Sequence, residues 1–141
     1  MPTPIQSPAS YVPSRATAYA DTDGTALLVS SANPLPVSLA ATTAPALLNG
    51  TTGTSGVLGP FQPALGRPVM LTLTGSWTGT VKVVRSTDGG ATRQPLTVAA
   101  QGWAQFSGNC CEAVWEESES AARLYLDVVL ASGTLGYRVG Q

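Results

Sequence analysis

The chain has no histidine and only one lysine among its 141 residues. The first absence removes Ser-His-Asp and Cys-His catalysis and every histidine-ligated metal site. The second, with no basic cluster and a net charge of −1, removes the electrostatic footprint that binding a nucleic acid requires. Charged residues make up 11% of the chain, against roughly 25% in ordinary globular chains. A surface so poor in charge implies that neighbours cover much of it, as in an assembly. The competing reading is a secreted β-domain kept in solution by Thr and Ser. No apolar run approaches the roughly 20 residues of a membrane-spanning helix, so no membrane partner is expected. The start, "MPTPIQSPAS", has neither the basic residues nor the apolar stretch of a Sec signal peptide. With the initiator Met1, we therefore expect an unprocessed product made in a cytoplasm.

Cysteine is scarce too. Cys110 and Cys111 are adjacent, and neighbouring cysteines rarely bridge because the ring would strain the peptide. On a strand, one would face the core and the other outward; reduced packing residues in a reducing compartment are expected. Two cysteines cannot complete a zinc site. Neither a GxxxxGK[ST] nor a GxGxxG phosphate loop occurs. No cofactor, metal or catalytic residue is therefore expected. Glu112, Glu116, Glu117 and Glu119 could supply the carboxylate pair of a glycosidase, but they crowd into "CEAVWEESES". A run of charge is usually solvated, and a solvated loop is expected there.

What the chain does have is divided unevenly. Ten of its eleven prolines lie at or before Pro68, and the first 66 residues carry only three charges, Arg15, Asp21 and Asp23. A segment rich in Pro, Ala, Thr, Ser and Gly cannot build a compact core alone. Its apolar pieces, "ALLVS", "PLPVSLA" and "APALL", need burial somewhere, and proline favours extended chain. We expect residues 1–56 to be an extended N-terminal arm that docks on another surface, with Tyr11, Tyr19, Leu35, Val37 and Leu39 as its contact residues. Within it, "ATAYADTDGTALLVS" has the pattern of a hairpin around a DTDG turn. Asp21 and Asp23 match the start of a calcium loop, but the later ligands are missing, so a turn is preferred. Asn49-Gly50-Thr51 reads as a turn as well.

Residues 57–141 are β throughout. "PVMLTLTG", "GTVKVVRS" and "RLYLDVVLAS" alternate with period two. The pattern predicts Leu71, Leu73, Val81, Val83, Leu124, Leu126, Val128 and Leu130 inside, and Lys82, Val84, Tyr125, Asp127 and Val129 on the other face. "TGSWTGT", "TDGG", "AQG", "SGN" and "ASGTLG" are turn-like breaks. Their spacing of about 8 to 12 residues predicts an antiparallel β-sandwich or jelly roll.

One stretch, "RSTDGGATRQ", places Ser86, Asp88, Gly90 and Thr92 at alternate positions. It resembles an Asp-box, the small hairpin repeated around the blades of sialidases, except that Arg93 stands where an aromatic residue is usual. A sialidase needs several such hairpins and a cluster of arginines. A single box implies only a turn, in which Asp88 bonds nearby amides while Gly89 and Gly90 take positive φ.

The longer segment "LTLTGSWTGTVKVVRSTDGGATRQPLT" is similar to short β-domains of tailed-phage virion proteins. The resemblance rests on Gly75, Trp77, Gly79, Thr80, Arg85, Ser86, Asp88 and Gly90. It is joined by the C-terminal "GTLGYRVGQ" and, in the arm, by "DTDGTALLVSSANPLPV". The small size and lack of internal repeats resemble capsid cement (decoration) proteins more than long fibres. That resemblance implies a homo-oligomer, dimer or trimer, which binds the major capsid protein on the outside of the virion, across capsomer junctions. It also implies synthesis in the host bacterial cytoplasm. Two other classes compete. A tail or head-fibre component, or a receptor-binding one, predicts exposed aromatic residues near a tip. A carbohydrate-binding β-module predicts Trp77, Trp103 or Trp115 on an open face.

Overall fold

Two strands of unusual length organise the protein. In the computed structural model, which describes residues 17–20, 22–37 and 43–141, β5 (Pro68–Ser86) and β11 (Arg123–Gly140) pair antiparallel almost end to end, from Arg123 opposite Ser86 to Gly140 opposite Met70. The described residues are all β, without a helix, and every strand pairing is antiparallel. The chain divides into two units, Met1–Ala41 and Thr42–Gln141.

In the first unit, β1 (Ala18–Ala20) and β2 (Ala26–Leu28) form a hairpin with Tyr19 opposite Leu27. Asp23 accepts the Thr25 amide at 2.8 Å and Gly24 takes φ +83°, which makes this an Asx-type turn. The Ser30 hydroxyl then accepts the Asn33 amide at 3.1 Å. Pro34–Val37 has no regular structure, and its Leu35 and Val37 are 48% and 74% exposed.

In the second unit, β3 (Leu48–Thr52), β4 (Gly56–Phe61), β6 (Gln94–Pro95), β9 (Gln105–Phe106) and β10 (Cys110–Glu116) join the two long strands in one seven-stranded sheet. The long strands are shared between its two ends. The start of β5 pairs with β10, and the end of β11 pairs with β3. The end of β5 pairs with β6 and β9, and the start of β11 with β4. A separate hairpin joins β7 (Thr97–Val98) to β8 (Gln101–Gly102).

Both ends of the sheet feed one core. Leu71, Leu73, Val81, Val83, Leu124, Leu126 and Val128 are all buried, as the alternation predicts, together with Phe61, Val69, Val114, Leu135 and Val139. Leu130 packs at the margin of this cluster. Burial of this kind stabilises by roughly 1.5–3 kcal/mol per large side chain.

Two expected turns are not turns. "TGSWTGT" lies inside β5 and "ASGTLG" inside β11. The glycines bend the strands without ending them. Gly79 has φ +142° and Gly133 has φ +90°. They pair with Leu130 and Trp77 of the opposite strand. A Cβ at Gly79 would run into the Val129 carbonyl, and one at Gly133 into the Ser76 carbonyl. Each glycine thus gives one strand a positive-φ position opposite a residue with a side chain, and a bulge between Leu130 and Ser132 shifts the register between the two levels.

The boundary expected between residues 56 and 57 falls inside the second unit. β3 is paired to β11, with Gly50 opposite Tyr137, so Asn49-Gly50-Thr51 is strand and not turn. The apolar alternation of β3 is too short and too broken by Asn and Gly to be legible as a strand.

Candidate functional site

The box residues close the end of β5. Ser86 is buried and its hydroxyl donates to Asp88 Oδ1 at 2.7 Å and accepts the Gly90 amide at 2.8 Å. Asp88 accepts the Thr92 amide at 2.9 Å and the Thr92 hydroxyl at 2.6 Å. These donors hold the Asp88 carboxyl far below the usual carboxylate range. Gly89 and Gly90 take φ +75° and +99°, as expected of the turn. The turn also lies over Tyr125: Gly89 O accepts the phenol hydroxyl at 3.2 Å, and the Arg93 guanidinium sits 5.6 Å from the ring centre. Tyr125 and its strand partner Val84 are consequently buried, although their place in the alternation predicts an outward face. The departure at Arg93 supplies a cation–π contact in place of an aromatic one.

Next to the turn lies a buried charge. Glu117 is 1% exposed, which corrects the expectation of a fully solvated acidic loop. Arg85 Nε and Nη2 donate to its two oxygens at 2.8 and 2.9 Å. The Trp115 indole donates at 3.1 Å, and the amides of Ser118 and Glu119 donate at 3.0 and 2.9 Å. Glu119 takes a third hydrogen bond from Arg85, at 2.8 Å. The guanidinium and the surrounding N–H groups lower the Glu117 pKa to about 2, against the opposing pull of burial. Glu117 is thereby held ionised with both oxygens occupied. A general acid needs the reverse, a raised pKa and a free proton. Glu112, Glu116 and Glu119 are exposed as expected, but Glu112 and Glu116 lie on β10 rather than in a loop.

Between these two features is a cavity of about 260 Å³, bordered by Arg85, Thr87, Gln94, Pro95, Thr97 and Trp115. Arg85 and Gln94 are strand partners across β5 and β6, so both come from paired backbone. In the sequence Arg85 stands out only through the motifs that contain "RSTDGG", and nothing marks Gln94. The period-two spacing of Trp115 and Glu117 is the one trace of this arrangement in the sequence.

The indoles of the other tryptophans are also hydrogen-bonded within the protein. Trp77 packs against the core and donates to Asn109 Oδ1 at 2.8 Å, while Asn109 Nδ2 donates to Gly75 O at 3.0 Å. Trp103 is 44% exposed and donates to Val114 O at 2.8 Å, at the bulge of β10. Cys110 packs at the core margin and Cys111 is exposed, both as free thiols, in line with their adjacent places on a strand.

Of the residues expected to make arm contacts, Tyr19 is half-buried in its hairpin, and Leu35 and Val37 are exposed. Tyr11 and Leu39 lie outside the described residues. Among the described residues no cluster of side chains is suited to hold a metal ion, and no helix is long and apolar enough to cross a membrane. No protein-family model, curated protein or solved structure matches this chain.

Proposed function

We propose that this protein is a non-enzymatic capsid decoration protein of a tailed phage. In this reading it binds the major capsid protein on the outer face of the head, across capsomer junctions, as a dimer or trimer. The observation that carries the reading is the arm. Leu35 and Val37 stand exposed in an uncharged segment without regular structure, and the core cluster is drawn wholly from the second unit. Exposed apolar side chains on an extended segment favour burial against a partner. The low charge of the chain and the resemblance of its central β segment to virion proteins support the same reading. In fold terms, we take the two ends of the sheet to be the layers of a β-sandwich, since both contribute side chains to one core.

The mechanism requires no chemistry. A ligand that binds only the assembled shell stabilises it by mass action, and an extended arm enlarges contact area without a larger core. The test is deletion of residues 1–41, which leaves the second unit intact. The truncated protein is expected to unfold cooperatively but to bind particles weakly. Particles lacking the protein should lose DNA at lower temperature or on milder osmotic shock. Equal particle binding by the truncated chain would reduce the arm to a linker. Stable particles that fail to adsorb to cells would transfer the role to a receptor-binding component.

A further inference from the structure

We infer that the cavity beside Arg85 is a binding site for one ring of a neutral sugar. The inference does not depend on the capsid reading.

Four polar groups around this cavity have no hydrogen-bond partner within the protein. Arg85 uses Nε and Nη2 on Glu117 and Glu119, which leaves Nη1 unengaged on a side chain that is 24% exposed. Thr87, Gln94 and Thr97 are exposed, and their side chains likewise make no protein hydrogen bond. Pro95 and the half-buried Trp115 contribute apolar surface to the same cavity. A pyranose has this composition in reverse, with a C–H face to set against apolar wall and a rim of hydroxyls that donate and accept. Apolar walls with a few convergent polar groups are the usual make-up of a small-molecule site.

The cavity is also pre-organised. Three hydrogen bonds fix the guanidinium, and the Trp115 indole is tied to Glu117. Asp88 fixes Thr92, another lining residue, and Gln94 is held by strand pairing to Arg85. The guanidinium, the indole and Thr92 therefore have little side-chain freedom to lose on binding, whereas the Gln94 side chain is free on a fixed backbone.

Charge selects the class of sugar. Arg85 is the one charged residue that lines the cavity, and two carboxylates, Glu117 and Glu119, already face it. The guanidinium therefore has no surplus positive charge for an acidic sugar, but Nη1 can still donate to a hydroxyl or carbonyl oxygen. Size selects a single ring: about 260 Å³ lies below the roughly 300–1,000 Å³ of sites that enclose a drug-sized ligand. Further residues of a chain would extend into solvent.

The full-length protein, with its tryptophans labelled for NMR, is titrated with methyl glycosides of glucose, galactose and N-acetylglucosamine, and with glucuronate as the anionic control. The expected result is a saturable shift of the Trp115 indole resonance by at least one neutral glycoside, in the millimolar range. The Trp77 and Trp103 resonances should stay still. Gln94→Ala and Thr97→Val change exposed side chains and should leave the thermal midpoint unchanged while weakening binding by about tenfold each, or roughly 1.4 kcal/mol. The inference is overturned if none of the neutral glycosides moves the Trp115 resonance at tens of millimolar, or if binding survives both substitutions unchanged. Tighter binding of glucuronate would overturn the neutral class.

Discussion

Glu117 lies beneath Arg85, 1% exposed, with both carboxylate oxygens within 2.9 Å of the guanidinium nitrogens. The pair joins the end of β5 to the segment after β10, two stretches 32 residues apart. Removing one member of a buried pair leaves the other charge uncompensated, at a cost of roughly 3–5 kcal/mol. Glu117→Ala is expected to lose most of that amount in urea denaturation, less what solvent screening of the partly exposed Arg85 recovers. Glu116→Gln, on an exposed neighbour, should change stability by no more than about 0.5 kcal/mol.

The same pair sets an acid response. The folded-state pKa of Glu117 is depressed from 4.5 to about 2. Its contribution is therefore complete above the unfolded value and is lost as pH falls through the window from about 4.5 to about 2. Stability measured across that window should fall in the native protein. The fall should be smaller in Glu117→Gln, which has no carboxylate at this position to protonate.

Leu126 is 1% exposed at the centre of β11, opposite Val83 and beside Leu58 of β4. Leu126→Ala should destabilise by about 2–5 kcal/mol through lost transfer energy and the cavity left behind. A neutral result would require a strand register shifted by one residue.

Gly133 carries φ +90°, and a Cβ there would meet the Ser76 carbonyl across the pair. Gly133→Ala should cost roughly 1–3 kcal/mol in backbone strain alone, plus the cost of moving β5. The measurement is a thermal melt, where each 1 kcal/mol corresponds to roughly 4–8 °C for a domain of this size. Glycine at the exposed and open position 108 provides the control: Gly108→Ala should change little.

Ala99 and Ala100 connect β7 to β8 with φ +50° and +64°. Both central residues of this two-residue turn are left-handed, the geometry that Asn-Gly adopts with least strain. Left-handed backbone costs an L-residue roughly 1–2 kcal/mol. Ala99→Asn with Ala100→Gly should raise stability by about 1 kcal/mol after the added freedom of glycine in the unfolded chain is subtracted.

Legibility followed the range of the interactions. Alternation along β5 and β11 identified the core residues because side-chain direction on a strand is fixed locally. The box was readable for the same reason, since Ser86, Asp88 and Thr92 bond within four residues of one another. "TGSWTGT" and "ASGTLG" misled because glycine marks a turn and a bend alike. Which of the two forms depends on what faces it, and here each glycine stretch faces the other.

The amino-acid sequence by itself determined that this chain is β, that its charge is sparse, and that histidine chemistry is excluded. These follow from composition and period, which need no partner strand. Only the tertiary structure decided that Glu117 is buried, that Tyr125 lies under a turn, and that Arg85, Gln94 and Trp115 border one cavity. Each of these depends on residues brought together from distant parts of the chain. Their energies come from desolvation and pairing, and neither exists until the sheet has formed.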